Sequence, residues 1–390
     1  MNIQEKKSAL RLLLVAAWLT ALAALADKIC IKATTPNPAK KKVTIAKTVV
    51  ASNESCPRKF VELIDTGAFL KTYGDGSAGA KTVSSPETLG ADAEPNNDPN
   101  LQFTDFTVAS GVELTVPSGT VIRCTGAFTN NGTITVRTGA RGGNWLGGDD
   151  STQTASVTMA EAGVSKAGAG NGELGGSAKT RFYGLGGVGL SEFEARQLRF
   201  PGTKAGGGGG AADSNSSTAG KSGGGSLVVL CQGPIVNAGA ISANGQSADP
   251  SSYPTEGGGG AGGIVILASK TSISQLAGGS ISANGGDGEK SDSDQGPSGG
   301  GGGGIVHLLA PVISITDPNS ITVTKGAAGQ NGAEDSVTAD VRGGGGGGGA
   351  CGGNGGNGGS VDADNDPLAA ADGTDGHILQ TLVDPTSLFS

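Results

Sequence analysis

Three isoleucines at a fixed separation constrain this chain most. Ile241, Ile281 and Ile321 stand 40 residues apart, each inside a short polar frame: Ile241-Ser242-Ala243-Asn244, Ile281-Ser282-Ala283-Asn284 and Ile321-Thr322-Val323-Thr324. Upstream of each lies an apolar run that follows glycines (Leu227–Leu230, Ile264–Leu267, Ile305–Leu308), then a second apolar step at Ile235, Ile273 or Ile313. A fixed long period marks a repeat architecture in which each unit is stabilised by its neighbours. Each unit spends about half its length on three short strands and the rest on a glycine-rich excursion. Three short strands without hairpin turns form one coil of a parallel β-helix. Stacking the coils puts the three isoleucines in one column at about 4.8 Å. Ser242, Ser282 and Thr322 then form an outward ladder, and Asn244, Asn284 and Thr324 a second one. Ladders of like side chains stabilise stacked strands.

The apolar runs are nearly continuous, so both of their faces need cover. The available cover is glycine: Gly206–Gly210, Gly257–Gly260, Gly299–Gly304 and Gly343–Gly349. Ordering such runs costs more entropy than covering a few apolar side chains returns. Backbone hydrogen bonds between neighbouring extended glycine segments must supply the difference. Without Cβ atoms these segments can pack as adjacent three-fold strands; the competing reading is a set of flexible linkers.

Glycine accounts for 73 of 390 residues, against a usual ~7%. No strict third-position repeat exists, which excludes collagen. With 27 basic and 35 acidic residues the chain is too acidic for a nucleic-acid binder held by phosphate contacts. Residues 1–26 have the pattern of a secretory signal: Lys6, Lys7 and Arg11, an apolar stretch from Leu12, and Ala24-Leu25-Ala26 before the expected cleavage. The apolar stretch is shorter than the ~20 residues that span a bilayer, and no later segment is apolar enough. Secreted or cell-surface localisation follows.

Five cysteines would then meet an oxidising compartment. Cys30 and Cys56 bracket one small segment and are the disulfide candidates. Cys124 and Cys231 sit in strands as small buried side chains, Cys124 facing the core while Arg123 faces water. Cys351 follows a glycine run as an exposed odd thiol.

The domains expected are a signal at 1–26, a two-Cys β module at 27–66, a linker at 67–100 and a glycine-rich β-helix at 101–390. The stretch 140–222 is an irregular insertion that departs from the period, with a short helix within Leu190–Phe200. Ile29-Cys30-Ile31-Lys32, Cys56-Pro57 and Val61-Glu62-Leu63 together resemble a short two-Cys module of bacterial exported surface proteins. The stretch Val112–Gly119, Asn131–Ile134 and the Ile-Ser-Ala-Asn-Gly copies at 241 and 281 resemble glycine-rich parallel β-helix proteins exported by bacteria. That resemblance implies an adhesin-like surface or matrix role and no assigned activity.

Motifs for chemistry are sparse. The chain has two histidines, His307 and His377, and lacks His-Glu-x-x-His and Cys-x-x-Cys, so neither a zinc site nor a Ser-His triad is expected. Asp362, Asp364 and Asp366 alternate as in calcium loops, but Pro367 holds the position of the required Gly; an acidic solvated turn is the better reading. Asp287, Glu289, Asp292 and Asp294 read as a solubilising loop. No catalytic, cofactor or metal residue is assigned. The expected partner is carbohydrate, another cell-surface component or a second copy of the chain. A polysaccharide-degrading β-helix enzyme and a self-assembling fibre subunit are the alternatives.

Overall fold

A computed structural model describes residues 28–33, 45–50, 61–65, 71–89, 100–145, 157–172, 174–175, 183–212, 218–248, 257–290, 296–330, 341–343, 345–349, 352–361 and 368–389. The chain forms two compact units, Met1–Thr72 and Tyr73–Phe389. In the first, Lys28–Ala33 pairs antiparallel with Ile45–Val50 on one side and Val61–Asp65 on the other. The expected signal at 1–26, Cys56 and the side chain of Cys30 lie outside the described residues, as do Cys351 and Asp362, Asp364 and Asp366.

The second unit holds three parallel sheets of six strands each. Sheet 1 contains Lys81–Val83, Phe106–Val108, Phe128–Asn130, Ile235–Asn237, Ser272–Gln275 and Val312–Ile315. Sheet 2 contains Glu87–Thr88, Glu113–Val116, Thr133–Val136, Ala240–Ser242, Ser280–Ser282 and Ile321–Thr322. Sheet 3 contains Gln102–Phe103, Thr120–Cys124, Ser226–Cys231, Ile264–Ser269, Ile305–Leu309 and His377–Thr381. The chain visits sheets 1, 2 and 3 in rotation six times, the succession of a parallel β-helix. Ile241, Ile281 and Ile321 are in register, joined below by Ile134 and Leu114.

Alternation builds the core. Residues facing inward on all three sheets form one cluster that includes Phe106, Leu114, Ile122, Ile134, Leu227 and Ile281. Phe106 and Phe128 stack 5.6 Å apart within 5° of parallel, one coil above the other.

Two expectations on organisation are corrected. The stretch 67–100 is not simply a linker, because Lys81–Val83 and Glu87–Thr88 build the first coil. Their strands are only two or three residues long and carry Lys, Thr and Glu, so they lack an apolar signature. The insertion 140–222 is an excursion like the others: it leaves after Thr133–Val136 and returns at Ser226, the same sheet 2 to sheet 3 corner that the later excursions use.

Backbone hydrogen bonds join the described glycine segments of the excursions. Gly207 and Gly210 N–H donate to the carbonyls of Gly349 and Gly346 (3.2 and 2.8 Å), and Gly206 and Gly209 donate to Gly224 and Lys221 (2.9 and 2.8 Å). Gly208 donates in a third direction, to the Glu161 carbonyl at 2.9 Å. Gly258 and Ala261 in turn donate to Gly210 and Gly207. Donation to one neighbour at every third residue is the signature of extended strands with three residues per turn. No described glycine in these runs has a positive φ.

The cover of sheet 3 differs from the expected glycine wall. Its outward residues, among them Val228, Leu230, Ile264, Ile266, Ile305 and Leu379, cluster with Tyr73, Ala195 and Ala205, and with part-buried Val121, Val164, Leu190, Leu198 and Phe389. Glycine has no side chain with which to fill an apolar face, so this task falls to the segment around the α-helix Glu192–Gln197 (α1) and to the C-terminus. Ser191 caps α1 through a capping box with Glu194. Arg123, expected in water, is half-buried beside the Phe200 ring at 6.0 Å.

Candidate binding face

Sheet 2 carries the predicted ladder and extends it. Ser242, Ser282 and Thr322 are in register, and below them the same column continues through Thr135, Thr115 and Thr88. All six are half-buried. A neighbouring outward column holds Glu113, Thr133, Ala240 and Ser280. The lower threonines fall outside the 40-residue spacing, because the second coil has no long excursion and the third has a very long one. Thr133-Ile134-Thr135 nevertheless has the same pattern as Ser280-Ile281-Ser282, which is where the signal lay.

Asn244, Asn284 and Thr324 form the second ladder at the edge where the excursions begin. Asn244 Oδ1 accepts from the Asn284 N–H (2.8 Å), and Asn284 Oδ1 accepts from the Thr324 N–H (2.9 Å). Each carboxamide is thereby fixed through its oxygen to the next coil. Ser247 and Asp287 repeat the device further along, accepting from the Asp287 and Ala327 N–H groups (3.0 and 2.7 Å). Asp287 is thus a structural acceptor rather than a mere solubiliser, and Glu289 is buried.

Below these ladders charged side chains gather. A shallow groove of about 480 Å³ is lined by Pro117, Ser118, Arg137, Thr138, Gly139, Arg141, Glu161, Thr203 and Lys204. Glu161 accepts from the Arg141 N–H (2.9 Å) and from Lys204 Nζ (2.5 Å). The Arg141 N–H bond first, and Lys204 second, hold its carboxyl down at about 2.

A polar ladder that sequence reasoning missed lies inside the coil. Asn130 Nδ2 donates to Asn237 Oδ1 (2.8 Å), and Asn237 Nδ2 donates to Gln275 Oε1 (2.9 Å), all three buried. The signal was a polar residue at an inward position followed shortly by Gly132, Gly239 or Gly279. This ladder holds a corner of the coil and is closed to ligands.

Cys124 and Cys231 are buried free thiols in register on adjacent coils. Burial first, and the neighbouring Cys124 second, push the Cys231 thiol well up. His307, on the outer face of sheet 3, is buried with Nε2 2.8 Å from Thr381 Oγ1 and Nδ1 without a partner. His377 Nε2 lies 3.0 Å from the Leu190 carbonyl. Among the described residues no group of three or more His, Cys, Asp or Glu could hold a metal ion, and no helix is long and apolar enough to cross a membrane.

No protein-family model, curated protein or solved structure matches this chain.

Proposed function

We propose that this is an exported bacterial surface or matrix protein that adheres through sheet 2 to carbohydrate and performs no catalysis. The observation that carries this reading is the six-coil hydroxyl column from Thr88 to Thr322, flanked by anchored asparagine amides. Hydroxyls and amides at regular intervals suit the hydroxyl-rich surface of a glycan, and a rigid stack offers them at little entropic cost. The family resemblance, the export signal ending at Ala26 and a Cys30–Cys56 disulfide belong to the same reading. The test is a glycan array followed by incubation with the polysaccharides that bind. Retention of intact glycan is expected; release of new reducing ends would convert the reading to the enzyme alternative.

A second reading, self-assembly, is favoured by one end of the stack. Val83, Leu89 and Phe103 are buried at the first coil. At the last coil the inward-facing Ile313 and Ile315 are only half-buried and Ile378 is 43% exposed.

A further inference from the structure

We infer that the Arg137 groove and the hydroxyl–amide face above it form one site for a carboxylate-bearing polysaccharide lying along the stack. This inference rests on the reading of sheet 2 as a carbohydrate surface and adds the charge of the ligand. Arg137 follows Thr135 by two residues, as Asn244 follows Ser242, and Thr135 and Ser242 are paired in register. The groove is therefore a continuation of the amide column and no separate feature of the surface.

Charge complementarity identifies the occupant. The chain is acidic overall, yet this groove gathers Arg137, Arg141 and Lys204 around a single carboxylate, Glu161. Arg141 and Lys204 already grip that carboxylate, the first at 3.4 Å through Nη2 and the second at 2.5 Å. Their heads remain largely exposed. Among the described residues Arg137 has no carboxylate partner. A guanidinium is suited to bidentate binding of a carboxylate. The Ser118 hydroxyl is engaged within the fold, accepting from the Ser226 N–H at 3.1 Å and donating to the Thr203 carbonyl at 2.6 Å. Above the groove the coils advance by about 4.8 Å, close to the length of one hexose unit, so one sugar per coil meets a hydroxyl or amide at each step. A neutral glycan would leave the cations unused, and a simple polyanion would leave the ladder unused.

The test is calorimetric titration of the whole protein with polygalacturonate, with dextran as a neutral glycan and with polyglutamate as a polyanion that is not a sugar. Polygalacturonate is expected to bind about tenfold more tightly than either comparison polymer, the scale of one charge-assisted contact. Arg137→Ala should remove that advantage without moving the dextran affinity, and Arg137→Lys should restore part of it. An unchanged thermal midpoint in both variants separates lost contact from lost fold. Equal binding of polygalacturonate and dextran would overturn the acidic ligand while leaving the carbohydrate reading in place. Equal binding of polyglutamate would reduce the site to general charge attraction and overturn it too. Binding of none of the three would overturn both readings.

Discussion

At the residue scale, the most consequential side chain is His307. It sits under α1 with its ring almost wholly buried, and burial, followed by the Arg199 and Arg196 charges, lowers its pKa from 6.5 to about 3. The native state thus keeps the ring neutral while the unfolded chain takes up a proton below pH 6.5. Stability from this residue is present above pH 6.5 and is lost as pH falls toward 3. We predict that the protein loses about 1–3 kcal/mol more than His307→Leu between pH 7 and pH 4, after allowance for relaxation around the buried ring. Denaturant unfolding of the two proteins at both pH values measures it, and parallel losses would refute it. The acid response has another source below pH 4.5, where Glu161 takes up a proton in the unfolded chain while the native carboxyl, held down to about 2, stays ionised.

The glycine strands matter at the element scale. A Cβ on Gly347 would meet the Gly300 carbonyl oxygen at 1.9 Å, backbone against backbone. One on Gly168 would come no closer than 3.1 Å, to the Ala160 carbonyl oxygen. Gly347 N–H also donates to the Gly356 carbonyl at 2.8 Å, so the strand cannot move aside without breaking a bond. Gly347→Ala should cost about 1–3 kcal/mol, the usual range for overpacking, and Gly168→Ala clearly less. Thermal midpoints of the two variants check the order, and equal effects would argue that the strands are not closely packed. The same close approach explains why the runs consist of glycine: any larger residue would push apart the carbonyls that accept the neighbouring N–H groups.

For the whole molecule, the asymmetry between the two ends sets the expected mode of association. The first coil is closed by residues 74–79, with Ala78 N–H donating to the Gln102 carbonyl at 2.9 Å and Thr104 N–H to that of Gly79 at 2.9 Å. The last coil presents Val312, Ile378 and Leu382 to solvent, along with strand edges that have no further coil to pair with among the described residues. An edge of this kind is a template for pairing with another chain. Because the two ends differ, association should join last coil to last coil and stop at a two-fold dimer. Sedimentation velocity across a concentration series should show monomer and dimer only, with Val312→Asp shifting the balance to monomer. Growth into long filaments would contradict it.

Much of the coil was legible in the sequence. The alternation of inward and outward residues has a period of two and needs no partner to be seen, so Ile241, Ile281 and Ile321 announced their column. The ladders beside them followed from the same count. What the tertiary structure alone decided is which segments meet across long separations. Thr135 lies beside Ser242, 107 residues away, only because the excursion closes on itself. Asn130, Asn237 and Gln275 meet inside the coil, where a polar residue is stable only if its neighbours on both sides are already in place. The partners of the glycine strands were the least legible of all, since a residue without a side chain carries no record of which carbonyl it will face. Nor could the Arg137 groove be read from spacing, for Arg137 and Arg141, at the start of the long excursion, meet Glu161 and Lys204 only where it folds back.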